Sequence, residues 1–385
     1  MPAYDAFLLL SFGGPEGPDD VLPFLENVTR GRGIPRERLA EVGGHYHAYG
    51  GVSPINGQCR QLLEAAGAAF AACGIELPLY WGNRNWHPFI EDTVRQMSAG
   101  GVTRALAFTT SAYSSYSACR QYLEDIDRAV AAVHPANLPA LHPGAPRIDK
   151  IRPYFNHPGF IEPFAASAEE ALAGLAAGDQ AGARLVFTAH SVPVGMAAAS
   201  GSRSTGTAVP AAVGGRYGAE LGEAARLISE RVRGGSLPFD LVFQSRSGPP
   251  SVPWLEPDVN DHLAALAKGT LANGVPLPDG PPSAVVVVPV GFVSDHMEVV
   301  HDLDTEAAAT AASLGLPFAR AKAPGPTPRF AQMVRELVAE RVSGAEPLAL
   351  GSFGPRAYPA GDAESCPFDC CRYNPARPPV TGRTS

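Results

Sequence analysis

The 385-residue chain has no surplus of basic charge, no long apolar run and few cysteines, and each shortage removes a class of protein. Thirty Lys and Arg stand against 38 Asp and Glu, a formal net charge of -8. A protein built to hold a polyanion such as DNA needs clustered cations instead. No stretch approaches the roughly 18 to 20 uninterrupted apolar residues that cross a bilayer, so no membrane span is expected. The first apolar run, Ala6 to Phe12, begins late, follows no basic leader and ends at Gly13-Gly14, which reads as a first strand and not as a signal peptide. Six cysteines in a chain of this length do not build a disulfide framework in a reducing compartment. The expectation is a cytoplasmic globular protein with no nucleic-acid partner.

What is present is ordinary globular composition, 45% hydrophobic and 18% charged, in a chain long enough for two lobes. Short apolar or β-branched runs recur at Ala6 to Phe12, Leu77 to Gly82, Arg104 to Thr110, Arg184 to Ser191, Asp240 to Ser245, Ala284 to Phe292 and Phe318 to Ala323. Segments of helical period lie between most of them, at Asn56 to Ala72, Ser117 to Val133, Phe160 to Ala177, Ala219 to Val232 and Asp295 to Leu314. Such alternation indicates an α/β fold of parallel sheets flanked by helices, with ligands beyond the carboxyl ends of the strands. The Pro, Ala and His-rich stretch Pro135 to Pro146 suggests a connection between lobes, giving expected units 1–150 and 151–345. A Pro, Gly and Cys-rich tail, 346–385, would follow, and Ala197 to Gly215 reads as a surface loop.

Two segments carry chemistry. His190 directly follows a buried strand, where an open α/β sheet presents a general base or metal ligand; a histidine capping the backbone is the alternative. After the strand Ala284 to Val288, the run Gly291 to Asp304 packs Asp295, His296, Glu298, His301, Asp302 and Asp304 into one entering helix. Helical spacing places Asp295, Glu298 and Asp302 on one face, with Glu298 and Asp302 a turn apart. Asp295 also suits a helix cap, but the lower pair points to cation handling or proton relay. Insertion of a divalent metal into a tetrapyrrole needs such groups, because two pyrrole protons leave as the ion sheds water.

The strings Leu10-Ser-Phe-Gly-Gly-Pro-Glu16, Tyr49-Gly-Gly-Val-Ser-Pro-Ile-Asn56, Phe187-Thr-Ala-His-Ser-Val-Pro193, Phe243-Gln-Ser-Arg-Ser-Gly-Pro-Pro250 with Trp254-Leu-Glu-Pro257, and Gly291 to Asp304 together resemble the ferrochelatase family. The resemblance spans Tyr4 to Val342 and implies two similar Rossmann-like chelatase lobes with the active-site cleft, and the porphyrin, between them. It implies that His190 and Glu298 are catalytic and meet the substrate iron, Fe2+, and that His296 and Asp302 are their motif neighbours. It also implies a π-helical turn near Glu298. Propionate contacts are expected from Arg30 and Arg32 of Thr29-Arg-Gly-Arg32, and from Tyr46, Ser53 and Tyr116 around the Gly50-Gly51 turn and the run Thr109 to Ser117. One departure concerns Glu16, where several single-membrane bacterial members carry an iron-ligating tyrosine close by.

Cys366, Cys370 and Cys371 crowd the tail, and Cys119 resembles the internal cysteine of members that carry a [2Fe-2S] cluster. These four are the expected cluster ligands; zinc and an unligated tail are the alternatives. Cys59 and Cys73 read as buried structural thiols. The resemblance is closest to the actinobacterial branch, which implies a lyase-class enzyme acting on coproporphyrin III to form coprohaem, with protoporphyrin IX as the close alternative. A carrier or iron-sulfur sensor on the same fold is the reading from another class. A downstream haem-synthesis enzyme is a possible transient partner.

Overall fold

Alternation along β1 (Ala6–Ser11) divides its side chains between two cores: Phe7 and Leu9 face one helical layer, Ala6, Leu8 and Leu10 the other. The computed structural model describes residues 4–31, 33–133, 144–201, 214–247, 251–355 and 370–373. In them β1 lies between β2 (Leu79–Asn83) and β3 (Arg104–Thr109), with β4 (Arg147–Lys150) at the edge beside β3. The second sheet repeats this order: β5 (Ala183–His190) lies between β6 (Phe239–Gln244) and β7 (Ala284–Val288), and β8 (Phe318–Arg320) forms the edge. Every pairing in both sheets is parallel.

The same alternation splits β5 and β7. Leu185, Phe187, Val286 and Val288 point into the large core shared by both sheets, while Val186, Val285 and Val287 point to the far side. All five residues of β7 are buried, and each of its four valines contributes roughly 1.5 to 3 kcal/mol of hydrophobic stabilisation. The shared core is filled by helices Ile55–Ala71, Pro158–Ala173 and Pro328–Val342. The last of these packs on the first two, so a helix that follows the second sheet closes the body against the first. Among the described residues no helix is long and apolar enough to cross a membrane.

A smaller apolar cluster lies apart from these cores. Helices Val21–Val28 and Arg36–His47 contribute Val21, Phe24, Leu25, Leu39 and Tyr46, and the second lobe contributes Met297. Two helices that the sequence pattern does not announce thereby form an arm over the carboxyl end of the second sheet.

Candidate active site

His190 is the last residue of β5, and its register partner is Gln244, the last residue of β6. Its Nδ1 contacts the Ser191 carbonyl oxygen. A carbonyl only accepts, so the proton sits on Nδ1 and the Nε2 lone pair is left for chemistry. The Tyr217 hydroxyl donates to the His190 carbonyl at 3.0 Å and fixes the backbone that carries the ring. Gly291 lets the loop after β7 lie against this strand end, since a Cβ there would come within 2.7 Å of the Ala189 Cα.

That loop leads into a helix starting at Met297, with His296 as its cap: the Glu298 amide donates to His296 Nδ1 at 3.2 Å. Glu298 Oε2 then lies 3.8 Å from His190 Nε2 and 3.9 Å from His296 Nδ1. Burial holds the His296 imidazole below its ordinary pKa, with the nearby His190 adding to the effect and the Glu298 and Asp295 carboxylates opposing it. His296 is therefore placed to orient Glu298 through the helix start.

From Val300 to Ala307 the helix is π-helical, as the family resemblance implies. Asp302 lies on this wide turn, accepting from the Ser245 hydroxyl and from Gln244 Nε2, the latter at 3.3 Å. Burial pushes its carboxyl up to about 6, with the charges of Glu298 and Glu306 acting in the same direction. Gln244 also reaches the Glu298 carbonyl at 3.5 Å. Ser245 makes its contact from a left-handed backbone, φ 60, which is uncommon for a residue with a side chain. Sequence reasoning did not single out Gln244, Ser245 or Tyr217, although the first two lie inside a quoted family string.

The expected three-acid face is corrected. Asp295 precedes the helix and pairs with Arg320 Nη1 at 2.9 Å, while the same guanidinium grips Asp304. It neither caps the helix nor faces the cleft with Glu298. Only Glu298 and Asp302 of the three reach the pocket, which holds about 110 Å3 and is also lined by Phe12, Phe24, Tyr46, His45 and His301.

The remaining sequence candidates fall in several places. Tyr46 is in the pocket wall, and burial raises its phenol above the ordinary value. Ser53 is buried beside Gly14, with its amide bonded to the Pro15 carbonyl, and does not line the pocket. Arg30 is exposed after helix Val21–Val28, and Arg32 lies outside the described residues. Tyr116 opens a second π-helical turn, Tyr116–Arg120, and its hydroxyl donates to Glu124 at 3.0 Å. Glu16 is paired with Arg60.

Among the cysteines, Cys59 is buried, donates to the Ser11 hydroxyl, and has its thiol pushed up to about 11 by burial; Cys73 is exposed, contrary to expectation, because it lies in the turn after helix Ile55–Ala71. Cys119, Cys370 and Cys371 are buried, the last two with Sγ atoms 3.8 Å apart. Cys371 exchanges contacts with the Gly201 backbone, and Tyr373 stands 6.5 Å from the Tyr116 ring, so the tail segment lies near the turn that holds Cys119. Cys366 is outside the described residues, and among those described no three His, Cys, Asp or Glu side chains converge on a point that could hold a metal ion.

The ferrochelatase family profile covers residues 4–342, a span that includes both His190 and Glu298. The chain belongs to the ferrochelatase family. It is 50% identical over 390 residues to the coproporphyrin III ferrochelatase of Streptomyces griseus, covering 99% of this chain and 97% of that protein. It is 51% identical over 381 residues to the coproporphyrin III ferrochelatase of Nocardia farcinica, covering 99% and 100%. A solved structure of SirB from Bacillus subtilis with Fe3+ aligns over 88% of this chain and 97% of its own, at 14% identity and a TM-score of 0.47.

Proposed function

We propose that this ferrochelatase inserts ferrous iron into coproporphyrin III, yielding coprohaem and two protons. The observation that carries the reading is the His190–Glu298 pair, 3.8 Å apart in a chain half identical along its length to proteins named for that substrate. His190 Nε2 takes a pyrrole proton or meets the arriving metal, its tautomer set by the Ser191 carbonyl. Glu298, held by the His296 cap, approaches that nitrogen to 3.8 Å, and Asp302 one wide turn on, beside Glu298 in the pocket wall, carries charge between Glu298 and solvent. Arg30, Arg32, Tyr46, Ser53 and Tyr116 are the propionate anchors that the resemblance implies, and of those among the described residues Tyr46 is the one in the pocket wall. The working units are 1–150, 151–345 and 346–385. The reading also implies a cytoplasmic enzyme that hands its product to a downstream haem-synthesis enzyme.

The test is anaerobic ferrous insertion into coproporphyrin III and protoporphyrin IX side by side, followed by loss of the free-base spectrum. Faster turnover of coproporphyrin is expected. Preference for protoporphyrin would overturn the substrate, and turnover of neither would overturn the activity in favour of a carrier.

A [2Fe-2S] cluster on Cys119, Cys366, Cys370 and Cys371 is part of the proposal. Buried, neighbouring thiols suit it chemically, and the Tyr116–Tyr373 approach brings the internal cysteine's turn to the tail. The fit is partial, because the described thiols do not form a converging set. The cluster would tie the tail to the first lobe and takes no part in the steps above. Anaerobically purified protein should contain iron and sulfide and show visible absorption that Cys119→Ser removes; stoichiometric zinc without iron would sink this assignment.

A further inference from the structure

Two side chains in the pocket wall are able to carry positive charge, His45 and His301; the other polar groups there are Tyr46 and the acids Glu298 and Asp302. The two imidazoles stack with centroids 3.9 Å apart at 21°, one from helix Arg36–His47 of the arm and one from the π-helical turn of the second lobe. Next to them the Tyr49 hydroxyl contacts Thr305 across the same seam. His301 is the unexplained member. Both its ring nitrogens are buried and neither makes a hydrogen bond among the described residues; Glu306 Oε1 comes only to 3.5 Å from Nε2. An imidazole whose buried nitrogens make no hydrogen bond loses their hydration for little return, which suits a partner that arrives.

The size of the pocket says when. At about 110 Å3 it is well below the roughly 300 to 1,000 Å3 that encloses a drug-sized ligand, so a macrocycle that occupies this pocket needs the arm to part from the second lobe. Parting the arm lifts His45 off His301 and bares its ring. A carboxylate entering this space is repelled by Glu298 and Asp302, which leaves the two imidazoles and the Tyr46 hydroxyl as its donors.

We propose that His301 is a specificity-determining residue that donates a ring N–H to a propionate of the bound porphyrin, with His45 covering it until the arm opens. The inference rests on the reading of this cleft as the porphyrin site.

His301→Phe keeps the ring and its stack but removes both nitrogens, and His301→Gln restores an N–H donor. Equilibrium binding without iron, followed by porphyrin fluorescence, separates this contact from turnover. His301→Phe should weaken coproporphyrin III binding about tenfold or more, the worth of one charge-assisted hydrogen bond. It should change binding of the tetramethyl ester less than twofold, and His301→Gln should recover most of the loss. An unchanged Kd for the acid in His301→Phe, or an equal loss for acid and ester, would overturn the proposal, as would wild-type protein that does not bind coproporphyrin. Wild-type protein that binds with this dependence yet inserts no iron would overturn the chelatase reading alone.

Discussion

His190 Nε2 stands 3.8 Å from Glu298 Oε2, although one residue ends a strand and the other begins a helix in a separate crossover. The gap is too long for a direct hydrogen bond, and it leaves both groups turned toward a common visitor. His190→Ala and Glu298→Gln should each lower kcat for iron insertion by roughly 10²- to 10⁴-fold, the usual scale for loss of a general acid or base. Because neither side chain packs the core, the melting temperature should move by no more than about 2 °C. Steady-state anaerobic kinetics with a thermal melt decides it, and near-normal turnover of His190→Ala would remove that residue from the mechanism.

Asp302 gives a pH-dependent prediction. Its carboxyl, chiefly through burial, titrates near 6, against an ordinary 3.8. Below pH 3.8 folded and unfolded chains are both protonated at this site, and no penalty exists. Above 6 the folded state carries a charge that burial disfavours, so the site costs stability that it does not cost in acid. Asp302→Asn should therefore stabilise the protein at pH 8 by on the order of 1 to 3 kcal/mol, with the gain shrinking as pH falls through 6 toward 4. Urea midpoints at pH 8, 6 and 5 measure this. A gain that does not vary with pH would show that the carboxyl is not shifted.

Much of this arrangement was legible beforehand, for identifiable reasons. Strands β5 and β7 are continuous apolar runs because both faces are buried, and the residues that follow them land at the sheet's carboxyl end, which picked out His190 and Glu298. Strand β4 was missed because Arg147-Ile-Asp-Lys150 is short and charged; its Asp149 is satisfied by Arg104 and Tyr4, partners no local pattern reveals. The arm was missed because Arg36–His47 is mostly polar and contains Gly43-Gly44, so its few apolar side chains give no helical stripe. The three-acid face failed on period: an α-helical spacing was applied to a segment that starts at Met297 and then widens to i→i+5 bonding. Asp295 was thereby left free to find Arg320.

Between the lobes, Glu220 is fully buried and accepts from the Ser114 amide at 2.7 Å, the Ser114 hydroxyl at 2.8 Å and Arg216 Nε at 2.8 Å. It links the segment after β3 to the helix Gly215–Ser229 that carries Tyr217. Glu220→Ala leaves a guanidinium and an amide buried without their carboxylate, which should cost about 3 to 5 kcal/mol. Since Tyr217 braces the His190 carbonyl, kcat should fall in the same variant even where it is fully folded. Chemical denaturation and kinetics on one preparation test both, and a loss below about 1 kcal/mol would show that the two lobes do not depend on this contact.

Arg320, the last residue of β8, joins Asp295 on the loop before Glu298 to Asp304 on the π-helical turn. One planar fork thus fixes both ends of the segment that presents Glu298 and Asp302, and the backbone amide of Ala323 adds a 3.4 Å contact to Asp295. Lysine keeps the charge but cannot bond both carboxylates in that geometry. Arg320→Lys should cost about 1 kcal/mol, and Arg320→Met about 1 to 3 kcal/mol, chiefly because the partly buried Asp295 then loses its cation while the exposed Asp304 is screened by water. The more telling readout is kinetic. If the fork positions the catalytic acid, Arg320→Lys lowers kcat several-fold with a smaller change in KM for porphyrin, since of the groups proposed to hold the substrate only His301 lies on this segment. A rise in KM with kcat unchanged would instead make Arg320 part of the porphyrin-binding surface.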